Sequence, residues 1–104
     1  MIARLPIEIP EQELNEFCRR NHIRRLSFFG SVIRDDFGSE SDIDVLVEFQ
    51  PDHVPGFFGF VRMETELTEM FGGRKVDLNT QGFFEPPLRE RIQRNALLQY
   101  GEED

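Results

Sequence analysis

The chain has 104 residues, 38% of them hydrophobic and 31% charged, and its net charge at neutral pH is -8. This length predicts a single domain over residues 1–104 with a modest core and no separate acceptor-binding domain. The negative net charge disfavours direct polynucleotide binding, because such binding requires an excess of Lys and Arg. A basic protein partner suits this charge better.

The sequence also predicts a cytoplasmic protein that does not enter the membrane. Cys18 is the single cysteine, which excludes an intramolecular disulfide and a cysteine-based metal cluster. The N-terminus lacks a basic segment leading into an apolar run, and no apolar stretch approaches the roughly 18 residues of a membrane span.

The first predicted elements are a helix and a strand that ends at a glycine. Pro10 predicts the helix start, because proline costs no hydrogen bond in a first turn and the acidic residues after it complement the helix dipole. Residues 23–29 are rich in β-branched and aromatic side chains, which predicts a strand running into Gly30. Ser31 is placed to cap a short helix that extends to about Asp36.

A second strand and a second helix are predicted in the middle of the chain. Apolar and polar residues alternate from Asp42 to Phe49, which is the two-residue period of a strand with one buried face. Asp42 and Asp44 therefore point the same way. Residues 56–71 carry apolar side chains at helical spacing, so this helix is expected to pack on the sheet.

The last predicted elements are a third strand and a third helix. Residues 75–79 alternate again, with Asp77 on the face opposite to its two apolar neighbours. Pro86 opens a helix with apolar residues at four-residue steps (Leu88, Ile92 and Ala96), followed by an acidic tail. This order predicts an α/β or α+β fold in which helices flank a small mixed sheet, with the strand connectivity left open.

The residues that carry chemistry lie mainly in the segment GSVIRDDFGSESDIDVLVEF. Gly30 lets the backbone approach a phosphate, and Ser31 opens a helix whose free N–H groups favour an anion. Asp42 and Asp44 project paired carboxylates, which hard divalent cations such as Mg²⁺ prefer. Asp77 is expected to join them across the sheet, where it can share a metal or orient an attacking hydroxyl.

With KVDL at residues 75–78 and LRERIQRNALLQYG near the C-terminus, these motifs resemble the polymerase-beta-like nucleotidyltransferase superfamily. The likeness covers most of the chain. It is greatest to the minimal, single-domain members that act as antitoxins beside HEPN-domain ribonuclease toxins.

The resemblance implies a site with two Mg²⁺ ions. Asp42 and Asp44 would grip the NTP phosphates through metal, and Asp77 would serve the metal of the nucleophile. Gly30 and Ser31 would hold the terminal phosphates. It further implies that AMP passes from ATP to a tyrosine of the HEPN toxin and leaves pyrophosphate, which would silence the toxin by adding negative charge beside its RNA site.

The residues that flank Arg34 depart from the resemblance, and Arg34 itself has two interpretations. Many minimal members carry a small residue and a glycine around this arginine, whereas here Ile33 and Asp35 flank it. Arg34 either neutralises NTP phosphate charge or forms an ion pair with Asp35, Asp36 or Glu40.

The phenylalanines and histidines are expected to have mainly structural roles. The phenylalanines are predicted to lie in the core, with one of them a candidate to stack on the nucleotide base: Phe28, Phe29, Phe57, Phe58, Phe60, Phe83 and Phe84. His22 and His53 lack metal-ligand spacing and are predicted to be surface or loop residues.

Three other functions compete with AMP transfer to a toxin. A non-catalytic antitoxin would neutralise its partner by occlusion, which should survive Asp44→Asn. A transferase acting on a small molecule would need an acceptor pocket that this chain lacks unless it dimerises. A polymerase or tRNA-tailing enzyme is disfavoured by the acidic charge.

Overall fold

Four strands and three α-helices form the fold in the computed structural model, which describes residues 5–101. In chain order they are α1 (Glu11–Arg20), β1 (Ile23–Phe29), β2 (Ile43–Phe49), α2 (Phe57–Met70), β3 (Val76–Thr80), α3 (Pro86–Asn95) and β4 (Leu97–Gly101). None of the helices within the described range is long and apolar enough to cross a membrane.

The strands form one mixed sheet in the order β3-β2-β1-β4. β1 is antiparallel to both β2 and β4, whereas β2 and β3 are parallel. The predicted mixed sheet with flanking helices is therefore confirmed. Because β2 lies between β1 and β3, Asp44 is paired with Phe29 on one side and with Asp77 on the other.

The core lies between one face of the sheet and helices α1 and α2. Leu14, Phe17 and Cys18 of α1 are fully buried, in agreement with the apolar stripe of that helix. Three alternate residues of β2 (positions 43, 45 and 47) are buried in the same cluster, as the two-residue period predicted, and Leu46 is buried as well. Each fully buried aliphatic or aromatic side chain stabilises the fold by about 1.5–3 kcal/mol.

Side chains of α2 close the outer edge of β3. The Val76 amide donates to Thr68 Oγ1 at 3.0 Å, and the Leu78 amide donates to Glu64 Oε2 at 2.9 Å. Four helical residues rise about 6 Å and two strand residues about 6.6 Å, so the two spacings match. Asp77 therefore lies between two amides that the helix holds in place.

The short helix predicted from Ser31 to Asp36 is wrong. A single 3-10 turn spans Gly30–Ile33, with no side-chain cap, and Arg34 is already extended at φ -115° and ψ 174°. Gly30 has a positive φ of +72°, which starts the turn in a conformation that a regular helix does not use. The expected helix N-terminus at Ser31 is consequently absent, and its phosphate contact stays a prediction.

The C-terminal prediction missed a strand. The helix ends at Asn95 and Ala96 is extended, after which β4 pairs with β1. Residues 97–101 carry little alternation of their own, and their conformation is set by pairing with a strand far away in the sequence.

The phenylalanines divide into buried and exposed groups. Phe28 is fully buried, as predicted, but Phe57, Phe58 and Phe83 are 76%, 80% and 60% exposed. The core assignment of these three side chains is wrong, because the first two lie in the exposed first turn of α2 and the third lies in a short 3-10 turn after β3. His22 and His53 stack on each other, with ring centroids 3.8 Å apart.

Candidate active site

Two of the three predicted carboxylates meet across parallel strands. Asp44 of β2 and Asp77 of β3 are direct register partners on the two strands. Burial, followed by the charges of Asp77 and Asp42, raises the pKa of Asp44 to about 6, and Arg34 opposes this shift. The site thus concentrates negative charge at a half-buried position.

The chemistry of these carboxylates fits a divalent cation. Crowded carboxylates with a raised pKa are stabilised by a hard cation, which prefers oxygen ligands. Asp42 lies just before β2 and acts on Asp44 through its charge. Within residues 5–101, however, no three His, Cys, Asp or Glu side chains are already gathered into a metal-binding group. The structure therefore pairs Asp44 with Asp77 and leaves Asp42 outside that pair.

Gly30 packs directly on the carboxylate of Asp44. A Cβ atom at this position would lie 2.2 Å from Asp44 Oδ2 and 3.1 Å from its Cγ. The predicted close approach of the Gly30 backbone therefore occurs, but its observed neighbour is a carboxylate. Contact between Gly30 and a phosphate stays a prediction.

A cavity of about 670 Å³ opens beside Asp44 and contains two arginines, Arg34 and Arg91. This volume lies within the range of about 300–1,000 Å³ that is usual for small-molecule sites. Arg34 also pairs with Asp36 at 3.1 Å, so the ion pair predicted as one of its two interpretations is present. That pair is exposed and therefore weak, and it leaves Arg34 available to a stronger anion.

Arg91 was missed because only the apolar residues of its helix were considered. Leu88, Arg91, Ile92 and Asn95 line the cavity together, which places them on one face of α3. The sequence prediction used the apolar members of this face and ignored the polar ones. Polar residues within an apolar stripe were the signal that the face borders a cavity.

Arg74 is a second functional candidate that the sequence did not reveal. Its guanidinium donates to the carbonyl of Ser41 at 3.1 Å and to that of Gly38, and it lies 4.5 Å from the ring centroid of Phe37. These contacts fix the turn that leads directly into Asp42. Contacts between residues so far apart in the sequence cannot be read from local patterns.

The fold and the paired carboxylates define a nucleotidyltransferase domain. That domain family matches residues 11–98, and the chain belongs to it. Among curated relatives, MJ0435 of Methanocaldococcus jannaschii, provisionally named a protein adenylyltransferase, is 36% identical over 75% of this chain and 81% of its own length. The protein adenylyltransferase MntA of Thermococcus cleftensis is 29% identical over 79% of this chain and 80% of its own length.

Solved structures share the same fold. A minimal nucleotidyltransferase structure superposes with a TM-score of 0.70 at 29% identity, covering 84% of this chain and 86% of the other. A toxin-antitoxin crystal structure with AMP-PNP gives a TM-score of 0.72 at 18% identity, covering 91% of this chain and 76% of the other.

We expect acid to stabilise the metal-free protein through Asp44. The pKa of Asp44 in the folded protein is about 6, above its ordinary value of 3.8, so the folded state favours the protonated carboxyl group. The contribution of this group to the free energy of unfolding is therefore full below pH 3.8 and is lost as the pH rises through about 6. Asp44→Asn should remove this pH dependence and raise the free energy of unfolding above pH 6 by on the order of 1 kcal/mol, after allowance for solvent screening. Urea denaturation in EDTA measures both effects, and an unchanged pH profile in the variant would contradict them.

We expect Arg74→Lys to weaken Mg²⁺ binding several-fold. Lysine keeps the charge but loses the planar, two-point contact with the turn before Asp42, at a cost of about 1–2 kcal/mol in stability. Mg²⁺-dependent thermal stabilisation provides the measurement. Arg20→Lys is the matched control, because Arg20 forms an exposed pair with Glu66 at 2.8 Å. Equal Mg²⁺ requirements in both variants would show that the turn does not position Asp42.

Proposed function

We propose that this chain is a Mg²⁺-dependent protein adenylyltransferase that transfers AMP from ATP to a tyrosine of a HEPN-domain ribonuclease toxin and acts as its antitoxin in the cytoplasm. The observation that carries the proposal is the register pair Asp44 and Asp77, in which Asp44 lines an arginine-containing cavity. Relatives named protein adenylyltransferase support it. A structural neighbour described as a tri-AMPylated Shewanella oneidensis HEPN toxin in complex with its MNT antitoxin suggests the partner.

The cavity beside Asp44 suits the donor nucleotide. Arg34 and Arg91 can offset the charge of a triphosphate, whose oxygens accept bidentate hydrogen bonds from guanidinium groups. Leu88 and Ile92 supply an apolar wall for the base or the ribose. We propose that ATP lies here with its α-phosphate toward the carboxylates.

The reaction forms one bond and breaks another at the α-phosphorus. The phenolic oxygen of tyrosine bonds to this phosphorus, the bond to the bridging oxygen of the β-phosphate breaks, and pyrophosphate leaves. Asp77, the register partner of Asp44, would orient the hydroxyl and take its proton. Mg²⁺ held by Asp42, Asp44 and Asp77 would neutralise phosphate charge and ease deprotonation of the hydroxyl.

We expect Asp77→Asn to lower turnover much more than ATP affinity. Asparagine keeps the shape but can neither accept the proton nor attract a cation as a carboxylate does, so kcat should fall about a hundredfold or more. Calorimetric titration with a non-hydrolysable ATP analogue should give a Kd within about threefold of the wild type. A variant defective in ATP binding alone would contradict the proposed role of Asp77.

The proposal is tested with Mg²⁺, a purified HEPN-domain partner and ATP labelled at either the α or the γ position. Label on the partner from α-labelled ATP alone, lost in Asp44→Asn, would support transfer to protein. Neutralisation of the ribonuclease without label would favour occlusion. Label recovered in a small molecule would favour the small-molecule transferase.

A further inference from the structure

A second cavity opens beside the carboxylate pair, and its chemistry is opposite to that of the arginine cavity. It measures about 570 Å³ and includes Asp77 and Glu64 in its wall. The residues that line it include no Lys or Arg. Phe57, Phe60 and Phe83 provide most of its aromatic surface, and we call it the phenylalanine groove.

The rim of this groove exposes large apolar side chains to solvent. Phe57 packs edge to face on Phe58 with centroids 5.5 Å apart, and Phe60 packs on Phe83 at the same distance. Val54 is also exposed. Leaving a phenylalanine side chain in water forfeits about 1.5–3 kcal/mol that burial would provide, and a contiguous apolar patch of this kind marks an interaction site.

The charges that line the two cavities favour different substrates of a group-transfer reaction. A triphosphate is attracted to Arg34 and Arg91 and is repelled from a groove whose charged residues are Glu64 and Asp77. The groove is continuous with Asp77, whose partner Asp44 borders the arginine cavity. The phenylalanine groove is therefore left for the molecule that accepts the transferred group.

We propose that the phenylalanine groove docks the acceptor protein through a segment that combines apolar and basic side chains, and that this docking brings the acceptor hydroxyl beside Asp77. Apolar side chains of the segment cover the exposed rings of Phe57 and Phe58. Its Lys or Arg residues meet Glu64 and the overall charge of -8. The role of the docked protein as acceptor rests on the proposed function, whereas its binding in the groove does not.

Charge argues against two other occupants. A second copy of this chain also carries a charge of -8 and would bring Glu64 and Asp77 close to their own counterparts, which is repulsive. A nucleotide would lie in the groove with aromatic surface but without a cation for its phosphates.

The test is a selection of displayed, random tyrosine-containing peptides on immobilised protein without ATP. The wild type is compared with Phe57→Ser/Phe58→Ser, whose exposed side chains can be replaced with little effect on folding. Leu98→Ser is the matched control, since Leu98 is an exposed residue of β4 that does not line the groove. A second variant, Glu64→Gln, keeps an oxygen for the Leu78 amide and removes the charge. Circular dichroism confirms that each variant folds.

We expect peptides rich in apolar residues and in Lys or Arg to be enriched on wild type and on Leu98→Ser, with about tenfold lower binding to the double variant, as for a hot-spot residue. The preference for Lys and Arg should weaken on Glu64→Gln. Lack of enrichment, equal binding to the double variant, or enrichment of acidic peptides would overturn the docking proposal. So would a concentration-dependent dimer that the double variant abolishes.

The peptide selection tests the docking proposal separately from the labelling experiment, which tests the enzymatic function. Peptide docking without AMP transfer would refute the proposed enzymatic function but would still support the groove as a binding surface. If the double variant transfers AMP to the HEPN partner as fast as the wild type, the docking proposal is refuted and the proposed enzymatic function is supported.

Discussion

Asp44→Asn should reduce nucleotidyl transfer on the order of a thousandfold or more while the protein stays folded. Asp44 is the central carboxylate of the site, because it is the register partner of Asp77, packs against Gly30 and borders the arginine cavity. Asparagine preserves its size and removes the charge that a cation requires. Asp42→Asn should act in the same direction through the same cation.

The measurement is AMP transfer from α-labelled ATP at saturating Mg²⁺, together with the urea denaturation midpoint. Asp52→Asn is a suitable control, because Asp52 is an exposed acidic residue in a short turn outside the carboxylate pair. Normal transfer by Asp44→Asn would remove this residue from the catalytic site. Loss of the folded state in the same variant would instead indicate a structural role.

Gly30→Ala should abolish transfer with only a moderate loss of stability. A methyl group there would collide with Asp44 Oδ2 at 2.2 Å and crowd its Cβ at 3.3 Å, so the whole carboxylate must swing away. The positive φ of +72° adds strain of about 1–2 kcal/mol for an alanine. We expect transfer to fall on the order of a hundredfold or more, since a misplaced catalytic group is costly.

Gly72→Ala separates the collision from the backbone strain. Gly72 has nearly the same φ, +73°, but a Cβ atom added there meets no atom within 4 Å. Both variants should lose a similar free energy of unfolding, and only Gly30→Ala should lose activity. If the two variants retain equal activity, the contact between Gly30 and Asp44 does not position the carboxylate.

Much of the site could be predicted because its parts follow local rules. The alternation around β2 predicted a common direction for Asp42 and Asp44, and the pattern around Asp77 predicted that it lies on a neighbouring strand. The pairing of Asp44 with Asp77 confirms the second of these predictions, and the direction of Asp42 stays a prediction. Their roles in metal binding and transfer, and those of Gly30, Ser31 and Arg34, stay predictions.

The parts that were missed depend on contacts between distant segments. β4 forms because β1 offers a pairing edge, although its own residues show no clear pattern. Arg74 and Arg91 approach the site from later elements, and only the assembled fold brings them to it. The core prediction for Phe57 and Phe58 of α2 was wrong for another reason, since helical spacing predicts an apolar face but does not say what covers it.

The bonds from Thr68 and Glu64 to the edge of β3 also bear on how the sheet associates with other chains. An unpaired strand edge invites intermolecular strand addition, which is a route to aggregation. Here the amides of Val76 and Leu78 are already occupied, so a foreign strand could join beside Asp77 only by displacing the side chains of Thr68 and Glu64. A partner can therefore approach the catalytic strand through side-chain contacts without extending the sheet.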